Sequence, residues 1–208
     1  MVDNFDQIKG FLDFPSDDVF YFLQIIKRKK DHPEQSKSII PINTYHITSI
    51  DYFNRLEDEI ISQCDLFNAR AYISLNKKSF KRVGLETLKI ITNYVVEEQY
   101  KSIKKSFNSA CGKYSSDPNK KWVVDVDWSE FYPDLKRNTE KFNEKLIELN
   151  NDLINAQKET KKEPLLFKIK TNAGVHLITR PFNQKKIKDK YLNNIDIKKD
   201  NPTLLYMS

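Results

Sequence analysis

Trp122-Val123-Val124-Asp125-Val126-Asp127-Trp128 is the stretch from which the rest of the chain is best read. Its residues favour a strand, and in a strand side chains at i and i+2 leave the same face. Asp125 and Asp127 therefore share one face, with Val124 and Val126 on the other. Two carboxylates facing one way repel each other unless a cation or a proton compensates. Removing either aspartate is then expected to relieve that repulsion. Paired carboxylates on a rigid strand suit a hard divalent metal, which takes oxygen ligands. The same pattern also fits an edge strand with one face in water. Seven residues leave both readings open.

The composition narrows the setting. A chain of 208 residues, 39% of them hydrophobic, suits a single domain with a sizeable core. No apolar run approaches the length of a membrane span. The opening Met1-Val-Asp-Asn-Phe-Asp6 is acidic and lacks a signal-peptide pattern, so a cytoplasmic location is expected. Cys64 and Cys111 form no CxxC pair and read as reduced, structural thiols. From Lys161 onward there are ten Lys and one Arg against one Glu and three Asp, a net of +7 in a chain of +6. A basic last quarter after an acidic motif points to a polyanionic partner, and solvated surface lysine is the plainer alternative.

Periodicity predicts alternating helices and strands. Residues 17–30 read as a short amphipathic helix ending in the basic run Lys27-Arg-Lys-Lys30. Residues 39–48 read as a strand. A helix capped by Asp51 runs to about Leu66 and buries Phe53, Leu56, Ile60, Ile61 and Leu66. Residues 69–75 form a strand. Ser79 opens a helix with Leu85, Leu88, Ile91 and Val95 on its apolar face, and residues 99–110 add a second helical piece. After the 122–127 strand, Asp134 to about Lys158 forms a long helix with Leu135, Phe142, Leu146, Leu149 and Leu153 in register. Strands at 165–170 and 175–179 flank the turn Asn172-Ala-Gly174. Gln184–Tyr191 is a short basic helix, followed by short strands at 195–197 and 203–207. The expected fold is α+β, with helices packed on a mostly antiparallel sheet.

A second chemical cluster lies in Phe167-Lys-Ile-Lys-Thr-Asn-Ala-Gly-Val-His-Leu-Ile-Thr-Arg-Pro-Phe182. Lys168 and Lys170 lead into the turn. Gly174 sits where a tight or left-handed backbone is expected. His176, Thr179 and Arg180 follow on the next strand. Donors and cations around a glycine suit a triphosphate, and a lone histidine beside a hairpin also suits a purely structural role. Asp196, in Asn194-Ile-Asp-Ile-Lys198, offers a third carboxylate or a plain surface residue.

In this order, the hDhD strand, the G-x-H strand and the later h-D-h strand resemble the archaeo-eukaryotic primase (primase-polymerase) superfamily. The pieces are Val124-Asp-Val-Asp127, Asn172-Ala-Gly-Val-His-Leu177 and Ile195-Asp-Ile197. The resemblance implies an RRM-like catalytic part over residues 69–208, beside a smaller N-terminal α/β part over residues 1–68. It implies that Asp125, Asp127 and Asp196 bind Mg²⁺ or Mn²⁺. His176, Gly174, Lys170, Thr179 and Arg180 would then hold the nucleotide. Arg70, Lys168, Lys185 and Lys186 would hold a single-stranded DNA or RNA template, with Trp128 or Phe182 as a stacking face. The implied activity is metal-dependent nucleotidyl transfer from nucleoside triphosphates during DNA replication. A helicase or other replication protein is the implied partner. The chain looks like a stand-alone core of the kind met in phages, acting in the cytoplasm of a bacterial host. Its turn, Thr-Asn-Ala-Gly, departs from the usual Ser/Thr-Gly-rich run. A non-catalytic nucleic-acid-binding relative and a metal-dependent nuclease are the competing classes.

Overall fold

The computed structural model of the chain describes residues 1–113, 117, 119–128, 139–157, 163–191, 195–200 and 202–208. The fold is α+β, with two antiparallel sheets. The first sheet runs β1 (Val2–Asp3), β10 (Pro202–Met207), β4 (Arg70–Ser74), β2 (Val19–Arg28) and β3 (Ile39–Ile47), with β5 (Lys78–Ser79) pairing β2. It draws strands from both sides of Asn68, so the expected parts 1–68 and 69–208 do not partition the sheets.

The helix expected over residues 17–30 is β2, a ten-residue strand. Tyr21, Leu23 and Ile25 join one core, while Phe20 and Phe22 join another on the opposite face. A strand covered on both faces loses its polar alternation and resembles a buried helix in apolar count. Its aromatic and β-branched residues favour the strand.

Helix α2 (Ile50–Phe67) starts two residues earlier than expected. The Ser49 hydroxyl, not Asp51, caps it by accepting the Tyr52 amide at 3.1 Å. Phe53, Leu56, Ile60 and Cys64 are buried, whereas Leu66 is exposed. Helix α3 (Phe80–Val96) is capped by Ser79 as expected, its hydroxyl accepting the Arg82 amide. Its buried residues are Val83 and Ile90, while Leu85, Leu88 and Val95 are exposed. A 3-10 turn (Tyr100–Lys105) leads into α4 (Ser106–Lys113). Cys64 and Cys111 are free and buried, and burial pushes their thiols up to about 12 and about 11.

The second sheet has the order β7 (Leu165–Lys170), β8 (Gly174–Thr179), β6 (Trp122–Asp127), β9 (Asp196–Lys198). Helix α5 (Thr139–Ala156) connects β6 to β7, and α6 (Gln184–Tyr191) connects β8 to β9. This is a β-α-β-β-α-β unit with all neighbours antiparallel and its first and third strands in the middle. The expected long helix is described from Thr139; Asp134, Leu135 and Lys158 lie outside the described residues. Phe142, Leu146, Leu149 and Leu153 are buried with Val124, Val126, Leu177, Ile187 and Tyr191. Both helices therefore cover one face of the sheet. On the other face, Val123, Phe167, Ile169 and Ile178 share a core with α2 and the first sheet. The Asn4 side-chain amide also spans the two sheets, donating to the carbonyls of Lys170 and Leu204.

Candidate functional site

Asp125 lies on a middle strand, opposite His176 on one side and opposite Asp196 on the other. Directly opposed residues of antiparallel strands share a face. His176, Asp125 and Asp196 thus form a row across three strands, on the face that the helices leave open. Asp127 is two residues further along, opposite Gly174.

Gly174 is where the two strands come closest. A Cβ there would lie 1.9 Å from the Val126 carbonyl oxygen and 2.9 Å from the Asp127 Cα. Its φ is not positive, so close approach, rather than the expected left-handed backbone, requires the glycine. The turn just before it is fixed to the end of β6, with the Trp128 amide donating to the Ala173 carbonyl at 2.7 Å.

The carboxylate of Asp125 is heavily compensated. His176 Nε2 lies 3.3 Å from Oδ1, and Lys198 Nζ lies 2.7 Å from Oδ2. Burial pushes this carboxyl up, but His176 and Lys198 outweigh it and hold it well below the usual carboxylate range. The repulsion expected between the two aspartates is therefore answered at this position by the Lys198 ammonium, with His176 alongside, and loss of Asp125 should destabilise the fold. The same Lys198 ammonium lies 3.4 Å from Asp196, whose side chain is 65% exposed. His176 is buried, its Nδ1 2.8 Å from the hydroxyl of Thr203 on β10. This pairing anchors the site to the first sheet.

A cavity of about 340 Å³ opens beside this row. Asp125, Asp127, His176, Lys198 and the turn Thr171-Asn172-Ala173 form one wall, and Arg28, Lys30, Arg70 and Tyr72 line the other. Arg70 is held by Asp31, with contacts of 2.5 and 2.7 Å, and Arg28 donates to the Tyr72 hydroxyl at 3.0 Å. Burial, then Arg70 and Arg28, pull the Lys30 ammonium below its usual range, while Asp31 and Asp127 pull it up. The Thr171 hydroxyl is buried and has no hydrogen-bond partner among the described residues.

Of the residues singled out in the sequence, Asp125, Asp127, His176 and Arg70 line the cavity. Asp196 joins them through Lys198, and Gly174 supports Asp127 from below. The others lie elsewhere. Lys168 and Lys170 pair with Leu177 and Val175, and so leave the sheet on the face opposite Asp125. Thr179 is fully buried at the far end of β8, opposite Trp122, and Arg180 follows it beyond the strand. Lys185 and Lys186 are exposed on α6, which packs behind the sheet. Trp128 stacks on Phe142 and Phe182 packs edge-on against Trp122, so both serve the core.

Compared with protein-family models, curated proteins and solved structures, the chain matches none.

Arg28, Lys30, Lys198 and Thr203 were not singled out in the sequence. Lys198 was within reach of the alternation rule, being two residues after Asp196 on a strand. Arg28 and Lys30 stood in a noted basic run, but the helix reading gave them no partner across the cavity.

Among the described residues, no three His, Cys, Asp or Glu side chains form a group ready to hold a metal ion. The donor chemistry nevertheless fits one. Asp125 and Asp196 already share a single cation, the Lys198 ammonium, and carboxylate oxygens are what hard divalent ions take.

Proposed function

We propose that this chain is a metal-dependent nucleotidyltransferase of the primase-polymerase kind, acting on nucleoside triphosphates and a single-stranded template. One observation carries the reading: His176, Asp125 and Asp196 stand in one row across three strands, and His176, Asp125 and Asp127 share a cavity with Arg28, Lys30 and Arg70. The cavity volume falls within the range of small-molecule sites. Its two walls match the two halves of a triphosphate reaction, carboxylates for cations and cations for phosphate oxygens.

Asp125, Asp127 and Asp196 would hold Mg²⁺ or Mn²⁺, which supplies activation of the attacking hydroxyl and charge for the leaving pyrophosphate. Arg28 and Lys30 bind phosphate oxygens; Arg70, fixed by Asp31, adds a rigid charge. The unpartnered Thr171 hydroxyl offers a further donor. His176 braces Asp125 and is itself braced by Thr203, so the carboxylate keeps one orientation. Little covalent chemistry falls to the protein, whose part is positioning and charge.

The test is incorporation of nucleotides on a primed and an unprimed template with Mn²⁺ or Mg²⁺, read as pyrophosphate release. Wild type is expected to be active, and Asp127→Asn to lose at least about a hundredfold. Asp127→Asn should keep the wild-type circular dichroism, whereas Asp125→Asn also loses its ion pair with Lys198 and its contact with His176, and about 1–3 kcal/mol of stability. Metal-dependent degradation of the template, requiring the same aspartates, would favour a nuclease.

A second reading has its own support. With Lys198 seated between Asp125 and Asp196, the cavity is lined by four cations against two carboxylates and suits a polyphosphate without metal. Binding of triphosphate unaffected by a chelator, with no incorporation, would favour a non-catalytic binding module.

A further inference from the structure

We propose that Lys198 is a built-in placeholder for the divalent ion: its ammonium neutralises Asp125 and Asp196 in the empty protein, and metal loading displaces it. This inference rests on the metal-site reading above. The geometry is specific. Lys198 stands opposite Val123, one row from Asp125, and reaches diagonally across the sheet to 2.7 Å from Asp125 and 3.4 Å from Asp196. A single charge thus touches the two carboxylates that face each other in register. It is only partly exposed, at 28% of its side chain, so the contact is not a loose surface pair.

The arrangement solves a physical problem that any two-carboxylate metal site has. Without metal, adjacent carboxylates repel, and the strands carrying them are pushed apart. A flexible four-carbon stem can hold an ammonium there and swing it away when a doubly charged ion arrives. The ion and the ammonium then compete for the same oxygens. Once released, the ammonium remains beside the cavity, where Arg28, Lys30 and Arg70 already gather positive charge. Binding of metal therefore adds a cation to the phosphate-facing side of the site as well as to the carboxylate side.

Mn²⁺ binding followed by electron paramagnetic resonance tests this on the full chain. Lys198→Met is expected to bind Mn²⁺ at least about tenfold more tightly than wild type, because a competing charge in direct contact is gone. Lys30→Met removes the same charge from the opposite wall and should change the affinity far less. Lys198→Gln, which keeps a polar side chain, repeats the comparison should the methionine variant fold poorly. In wild type, saturating Mn²⁺ should also raise labelling of Lys198 by acetic anhydride several-fold, read by mass spectrometry. Equal tightening by Lys30→Met would reduce the effect to general charge and overturn the placeholder. So would unchanged or weaker binding by both Lys198 variants while Asp125→Asn abolishes it; the metal reading would then survive. If no variant binds Mn²⁺, the metal reading fails and the placeholder with it. If Lys198→Met alone binds, the ammonium is a permanent substitute for the ion that metal does not displace, and the placeholder is overturned.

Discussion

At Gly174 a side chain has nowhere to go, because the obstacle is the backbone of β6 rather than a movable side chain. Gly174→Ala should therefore force β8 away from Asp127 and cost at least about 2 kcal/mol, measured by urea unfolding. Triphosphate binding should weaken with it, since the 171–173 turn moves too. His46 offers a separate test at this scale. Its ring packs against Phe20, Phe22 and Phe107. Burial holds the imidazole below its ordinary 6.5, with its hydrogen bond to the Asn108 side chain pulling the other way. The unfolded chain thus takes up this proton at a higher pH than the folded one does. Stability carried by neutral His46 is present above about pH 6.5 and is lost as pH falls below it. Unfolding midpoints compared at about pH 7.5 and pH 5.5 should drop less in His46→Phe than in wild type.

Among the elements, β6 was legible because Asp125 and Asp127 alternate with Val124 and Val126, and β8 because the turn Asn172-Ala-Gly174 marks where it begins. The central strand β2 was not legible as a strand, because cores on both faces erase that alternation. The pairing of β6 with β8 and β9 could be guessed from motif order, but the register that sets His176 and Asp196 on either side of Asp125 belongs to tertiary structure. Helix α3 shows a different limit. Several of its residues could make an apolar stripe, and the stripe that faces the core is set by Phe20 and Phe22 beneath it, not by the helix alone. Ile90→Ala should consequently cost about 2–4 kcal/mol. Leu88→Ala, on the exposed side, should stay within about 0.5 kcal/mol, by the same urea measurement.

For the whole molecule, net charge along the sequence is a poor guide to where the cavity's cations come from. The excess of +7 after Lys161 is spread largely over Lys168, Lys170, Lys185 and Lys186 and similar residues away from the cavity. Three of the four cations lining the cavity come from the other sheet's side, Arg28 on β2, Lys30 just after it and Arg70 on β4. Triphosphate affinity should accordingly fall about tenfold in Arg28→Ala and remain unchanged in a Lys185→Ala/Lys186→Ala double variant, measured by calorimetry. Binding of single-stranded nucleic acid, a longer polyanion, should weaken steeply with added salt in wild type. The double variant should show a shallower slope if the α6 surface holds the strand. The two measurements separate the cavity from the outer surface.

Strand β10 lies between β1 and β4, pairing Met207 with Val2 on one side and with Arg70 on the other. Of the described strands it is the last to leave the ribosome. Until it emerges, the first sheet stays split, with β1 detached and one edge of β4 open to other chains. The β6–β9 unit has by then been made, but Thr203, which holds His176, has not. A nascent chain stalled before Pro202 should therefore be a client for chaperones and proteases, even though every carboxylate of the site is already in it.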